Sequence, residues 1–341
     1  MAEPIHLAAN NPDLGGGEQM LVRTARALRE LGREVVVVAP DTTTEVLDAA
    51  SDAGATPVSI RARDRSDYLR RLRAWHGSAR PELLWCHGLV PALATSGRPN
   101  RVVHLHQRPR SRAQRVALEV ARVGCERVLT PSASLAGQVR GARPLPNWTD
   151  EVGSLTRTSG RTGRLGFLGR LSTDKGLDTL ADAMRSDVLD ADLRLVVAGD
   201  DRWVPTDQRV AVGAALGRLG DRVQPVGRVS PRDLFDQVDL VVFPSSVAES
   251  FGLVVAEAMA VGVPFVVSDA GALPEVAGPD HPWVAPAGDA DALARTIAAA
   301  LDAAPEEVEA VTDRARRRWQ DEYSPRAGRA RVARLLEELD A

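Results

Sequence analysis

Lysine is almost missing from this sequence: of 43 basic residues 42 are arginine, and Lys175 is the one lysine. Richness in alanine, glycine and arginine points to GC-rich coding, which replaces lysine codons wherever either cation will serve. A lysine that survives marks a place where a compact, flexible ammonium does what a planar guanidinium does not; chance survival on the surface is the plainer alternative. Cysteine is scarce too. Cys86 and Cys125 are the only two, which excludes a disulfide framework and any paired-cysteine metal spacing and suits a reducing compartment. The N-terminal MAEPIHLAAN lacks a basic segment followed by a long apolar run, and no stretch reaches membrane-spanning length without charges, so a cytoplasmic protein is expected. Net charge is only −3 over 341 residues, which implies no general attraction to nucleic acid. The first glycine cluster is not Gly-x-Gly-x-x-Gly, so a nicotinamide-dependent oxidoreductase is disfavoured.

What is present is a succession of short apolar runs and amphipathic segments, the pattern of an α/β protein with enough chain for two cores. Ile5 to Asn10 reads as a strand, Asn11 to Gly17 as a loop, Glu18 to Leu31 as a helix stopped by Gly32, and Glu34 to Ala39 as the next strand. Gly16 and Gly17 would let this loop approach a ligand closely. Further strands are expected at Thr56 to Ile60, Leu83 to Cys86, Arg101 to Leu105 and Arg127 to Leu129. Residues 151–163 are polar, rich in Ser, Thr and Gly, and without apolar periodicity. They separate a first domain, 1–150, from a second, 151–323, that starts its sheet near Leu165 and is followed by a terminal helix, 324–341. Arginine is concentrated: residues 61–143 hold 17 Arg against 5 acids. That excess is either a solvated surface or a face for an anionic acceptor or membrane.

The chemistry concentrates in Ala248 to Gly262. Glu249 and Glu257 stand eight positions apart, with a Ser-Phe-Gly turn after the first. A helix starting near Phe251 or Gly252 puts Glu257 on its second turn and Glu249 in the loop before it, with the amides of Phe251, Gly252 and Leu253 pointing out of the helix mouth. Such a mouth is an anion site, and phosphate is its common guest. Acids beside a phosphate site suit the ribose and a sugar, the two ends of a sugar nucleotide; a cap and a solvated charge are the bland reading. The flanking strand patterns, Asp239 to Ser245 and Val263 to Ser268, set this loop at the carboxyl ends of parallel strands, where open α/β sheets bind ligands. Arg170 and Lys175 bracket a turn before a helix beginning near Leu177, so two cations converge on another helix mouth.

The stretch resembles the Glu-x7-Glu signature of retaining glycosyltransferases of family GT4, through Pro244-Ser245, Glu249-Ser250-Phe251-Gly252, Glu257-Ala258-Met259-Ala260, Gly262 and Pro264. The resemblance implies the GT-B fold: two Rossmann-like domains facing across a cleft, the acceptor on the first, a nucleoside diphosphate sugar on the second, and the terminal helix packing back toward the first. It assigns the diphosphate to Arg170, Lys175 and the amides after Ser250, the ribose to Glu257, the sugar hydroxyls to Glu249, and the base to a segment that includes Arg228 and Val229. Gly16 and Gly17 would border the donor. A histidine at the fifth strand's end would reach the donor sugar. By alternation only one of His104 and His106 is expected to face that exit, and His106 is the better match; His87 is read as structural. Gly199-Asp200-Asp201-Arg202 departs from the family, which more often has a second glycine there. Asp190/Asp192 and Asp289/Asp291 fit an Asp-x-Asp metal motif but sit where helix and turn caps are expected. No metal site and no cofactor are expected beyond the donor itself, with UDP the first choice of nucleotide. Retaining transfer to a natural-product or oligosaccharide acceptor follows, since short arginine-rich members resemble tailoring enzymes of oligosaccharide antibiotic pathways such as avilamycin's. A lipid or cell-envelope acceptor, a sugar-nucleotide epimerase of the same fold and a non-catalytic binder are the alternatives.

Overall fold

The computed structural model describes residues 3–153, 155 and 162–340, so most of the expected linker lies outside the described residues. The chain forms two compact units, Met1–Trp148 with Pro325–Ala341, and Thr149–Ser324. The first holds a seven-stranded sheet of β1 (Ile5–Ala8), β2 (Val35–Pro40), β3 (Thr56–Ile60), β4 (Leu83–His87), β5 (Arg101–His104), β6 (Arg127–Thr130) and β7 (Ala142–Pro144). The second holds six strands, β8 (Arg164–Leu168), β9 (Arg194–Ala198), β10 (Val223–Gly227), β11 (Leu240–Phe243), β12 (Phe265–Ser268) and β13 (Val284–Ala285). The spatial orders are β3-β2-β1-β4-β5-β6-β7 and β10-β9-β8-β11-β12-β13, and all the pairings are parallel. Each sheet is therefore Rossmann-like and reverses its strand order once, between β1 and β4 or between β8 and β11. A ligand crevice opens beyond the carboxyl ends at such a reversal.

The central strands are continuous apolar runs because both faces are covered. In β11, Leu240 and Val242 enter one core cluster while Val241 and Phe243 enter the other, and β9 divides Leu195 and Val197 from Val196 and Ala198 in the same way. The helix Leu253–Val261 lies inside the second cluster, with six of its nine residues buried. Its side chains therefore serve packing, and Glu257 is its only charged residue.

The first helix runs Gly16–Glu30, two residues earlier than the expected Glu18. Glu18 is the reason: its buried carboxylate accepts from the Asn11 amide at 3.1 Å and from Asn11 Nδ2 at 2.9 Å, folding the loop back over the helix start. A carboxylate in the first turn also favours the helix dipole. At the other end of the chain, the helix Pro325–Asp340 packs on Gly16–Glu30. Arg329 pairs with Glu30, Arg331 donates to the Pro146 carbonyl at 3.0 Å, and Gly328 lies against the Trp148 indole.

Part of the arginine excess is structural. Arg101 is fully buried and its guanidinium donates to the carbonyls of Ala92, Arg98, Ala121 and Val123, while Asp67 gathers Arg63, Arg70 and Arg71.

Candidate active site

Three loops meet where the second sheet reverses its order. The turn after β8 carries Arg170 and Lys175, the loop after β11 carries Ser245 to Gly252, and the loop after β12 carries Gly271. Hydrogen bonds tie them together. The amides of Ser246 and Val247 donate to the Asp174 carbonyl at 3.1 and 3.3 Å, and Ser268 Oγ donates to the Ser245 carbonyl at 2.6 Å. Glu249 bridges to Gly271 as a one-residue extension of the sheet. Two glycines make these approaches possible. Gly176 has φ +68° and a Cβ there would stand 1.9 Å from the Pro244 carbonyl oxygen; Gly271 has φ +68° and a Cβ would stand 2.5 Å from the Glu249 carbonyl oxygen. Any other residue would push the loops apart.

At the centre, Lys175 Nζ donates to Glu249 Oε1 at 2.5 Å, and Ser245 Oγ donates to the same oxygen at 2.7 Å. The Lys175 and Glu249 side chains are 25% and 18% exposed, so the pair is shielded without being sealed. Burial alone would push the Glu249 carboxyl up. The Lys175 charge and its hydrogen bond, the Ser245 hydroxyl and the Arg170 charge outweigh it, and the carboxyl is held below its usual value. Arg170 is exposed and acts on Glu249 through its charge. An ammonium has three donors, and Glu249 occupies one.

The helix mouth beside this pair opens at Gly252, which caps Leu253–Val261 with φ +102° and without a side-chain cap. No described residue accepts from the amides of Phe251, Gly252 or Leu253. The Phe251 ring itself is buried, edge-on to Tyr323 at 5.3 Å, so Phe251 can offer a ligand only its backbone. Ser250 lies between Glu249 and this mouth, half-buried. Glu257 sits on the second turn, half-buried. Arg228 is exposed, 3.6 Å from Asp200, while Val229 packs against the core. Asp289 caps the helix Ala290–Asp302, and Asp190 accepts from the Asp192 amide in a local turn; both are spent on the backbone.

The first sheet carries a second group of chemistry-bearing residues at its own reversal. His87 and His104 are register partners at the ends of β4 and β5, and His106 follows two positions later. The expectation that alternation would separate His104 from His106 is wrong: two positions are one full strand period, so both rings fall on one side, 4.2 Å apart. His87 Nδ1 and His106 Nε2 are hydrogen-bonded at 2.9 Å. Burial pulls all three imidazoles below their ordinary range, with their mutual repulsion adding to it for His87 and His104, which keeps them neutral. Gly17 packs on this group: a Cβ there would lie 3.2 Å from the His106 ring. Gly16 is exposed at the helix start. From the sequence alone His87 reads as structural; the signal for a triad lies in the ends of adjacent parallel strands, which bring 87 beside 104.

Residues 14–149 match the family model Glycosyltransferase Family 4, and residues 162–303 match Glycosyl transferases group 1. The MMP alpha-(1->4)-mannosyltransferase of Mycolicibacterium hassiacum is 34% identical over 158 residues, 45% of this chain and 36% of that protein. The D-inositol 3-phosphate glycosyltransferase of Xylanimonas cellulosilytica is 40% identical over 112 residues, 31% of this chain and 26% of that one. The chain thus spans between about a quarter and a little over a third of the length of these curated relatives. Among solved structures, HepE of Anabaena in complex with UDP-glucose superposes with a TM-score of 0.85 at 20% identity, over 99% of this chain and all of that one. Sucrose-phosphate synthase from Thermosynechococcus elongatus gives 0.81 at 19% identity, over 99% of each. Likeness at such identities concerns the fold, which is GT-B.

Proposed function

We propose that this chain, a family-4-type glycosyltransferase by the models that both its halves match, moves a sugar with retention from a nucleoside diphosphate sugar to a hydroxyl acceptor, without a metal. The observation that carries the reading is the Lys175–Glu249 pair beside the open amides of the Gly252 helix mouth. When the bond from the anomeric carbon to the β-phosphate oxygen breaks, its electrons stay on the diphosphate and the sugar gains oxocarbenium character. The two spare donors of Lys175, the Arg170 charge and the amides of Phe251, Gly252 and Leu253 are assigned to that charge, which donors held in place by the fold stabilise without reorganising. Glu249, held ionised, is assigned to the sugar hydroxyls and Glu257 to the ribose, with Arg228 and Val229 beside the base. His106 is assigned to the sugar, on the family resemblance. UDP is the first choice of nucleotide, since the HepE structure contains it.

Calorimetry with UDP, GDP, ADP, dTDP and their sugars tests the donor site. Selective binding of one diphosphate, weakened in Lys175→Ala, supports it; no binding of any removes it. Conversion of the sugar nucleotide without an acceptor would favour an epimerase instead, and loss of transfer on treatment with EDTA would overturn metal independence. The acceptor side has an observation of its own. On the helix Arg112–Ala121 and its exit, Val116, Val120 and Val123 are 63%, 46% and 56% exposed among the exposed Arg108, Arg110, Arg112 and Arg115. Apolar groups set in a basic surface suit the boundary of an anionic membrane, which supports a lipid-linked acceptor over a free oligosaccharide. Co-sedimentation with anionic vesicles that Val116→Asp weakens would favour it; no binding at low salt would leave the soluble acceptor.

A further inference from the structure

We propose that His87, His104 and His106 form a binding site for one divalent transition-metal ion of the zinc type. The argument starts from a count of donors and acceptors. Three neutral imidazoles carry three N–H groups and three lone pairs, and the contact between His87 Nδ1 and His106 Nε2 uses one of each. The four remaining nitrogens, His87 Nε2, His106 Nδ1 and both of His104, are buried and have no hydrogen-bond partner. Buried polar atoms are nearly always partnered, and an ion held between His87 Nδ1, His106 Nε2 and His104 would engage one of these four, a nitrogen of the His104 ring. His104 is the sharpest case, since it is fully buried and neither of its nitrogens is engaged.

The geometry favours an ion. Zinc–nitrogen bonds of about 2.0–2.1 Å put two tetrahedral ligands about 3.3 Å apart. His87 and His106 already stand at 2.9 Å, and one ring nitrogen of each of the three histidines lies within 4.8 Å of the others. Drawing nitrogens from no more than 4.8 Å to ligand spacing takes a movement of about 1.5 Å at most. The rings are held for the purpose by rigid elements: strand register fixes His87 against His104, Trp85 stacks on His87 at 5.7 Å and leans on His104 at 6.1 Å, and Gly17 leaves room for His106. Three imidazoles without a carboxylate or thiolate select zinc, cobalt, nickel or copper over magnesium and calcium. The fourth position falls to water or hydroxide at the half-buried His106 edge. Such an ion is not part of the transfer chemistry. On the reading of His106 given above, it would withdraw that ring from the sugar, so occupancy inhibits.

The experiment titrates the metal-stripped full-length protein with Co2+, read by its visible ligand-field bands, and then with Zn2+ in competition. One ion per chain with tetrahedral bands is expected, and His104→Leu, folded by near-ultraviolet circular dichroism, should weaken binding by about a hundredfold or more. If that variant does not fold, His87→Gln takes its place with the same expectation. No stoichiometric cobalt spectrum, as a water-filled cluster would give, or equal affinity in wild type and variant, overturns the site. Stoichiometric binding without inhibition of transfer leaves the site standing and counts against the role of His106.

Discussion

Replacing Lys175 by alanine removes the one cation whose identity the composition protects. In the structure its ammonium holds Glu249 at 2.5 Å and is 25% exposed. A charge-assisted hydrogen bond of this kind is worth about 1.5–3 kcal/mol. Breaking a fully buried pair costs about 3–5 kcal/mol and an exposed one about 1 or less, so partial exposure places the loss near 2 kcal/mol. If that amount is felt in the transition state, kcat/KM falls about 30-fold. Arg170 and the helix amides remain, so turnover is lowered and not abolished. The assay is release of nucleoside diphosphate from the preferred donor, with melting temperature measured in parallel. A second readout follows from Glu249. Its carboxyl is held down chiefly by Lys175 against the upward push of burial, so without the lysine it protonates at higher pH and the acid limb of the rate profile moves up. Lys175→Arg keeps the charge but cannot seat a planar fork against one oxygen, and an intermediate rate is expected. A variant with unchanged melting temperature, kcat/KM within twofold of wild type and an unmoved acid limb would refute the diphosphate assignment.

How much of this was legible beforehand depends on what each feature rests on. The alternation of apolar strands with helices sufficed for two parallel sheets, since a strand covered on both faces reads as an unbroken run, as Leu240–Phe243 and Phe265–Ser268 do. Glu249, Lys175 and the helix mouth were legible because each lies in the segment joining a strand to the next helix, where local order along the chain fixes the position. The pairing of Lys175 with Glu249 was not, because 74 residues separate them and the approach depends on Gly176 and Gly271 admitting neighbouring loops. The first helix was misplaced by two residues because the glycine run looked like a loop. Glu18, reaching back to Asn11, turns it into a helix start. The histidine triad failed for another reason: it is a product of interstrand register, which a single strand pattern does not contain. Strand β7, with three residues, two of them exposed, has no apolar run to announce it.

Three further predictions follow from the geometry. Gly271→Ala should lower the melting temperature and transfer together, since the new Cβ meets the Glu249 backbone at 2.5 Å in a left-handed turn and costs about 1–3 kcal/mol; unaltered melting would mean that the loops give way. Glu249→Gln keeps a group for Ser245 but leaves Lys175 without its anion, so a donor diphosphate should bind at least as well while transfer falls more than tenfold; intact transfer would remove Glu249 from the sugar. The last prediction concerns acid. His281 stacks on Phe265 at 4.3 Å with its ring nitrogen 3.0 Å from the Phe265 carbonyl, and burial pulls its pKa from 6.5 down to about 4, the carbonyl contact opposing and Arg314 assisting. Between those values the unfolded chain binds a proton that the folded chain refuses. The stability His281 contributes is therefore complete above pH 6.5 and is lost as the pH falls toward 4, about 3 kcal/mol in all. The remaining five histidines also have lowered values, so wild type alone cannot isolate the effect. Urea melts of wild type and His281→Gln from pH 7 to pH 4 can, because the other groups cancel in the difference. That difference should close by about 3 kcal/mol across the window, and a constant offset would show that His281 takes up its proton without cost to the fold.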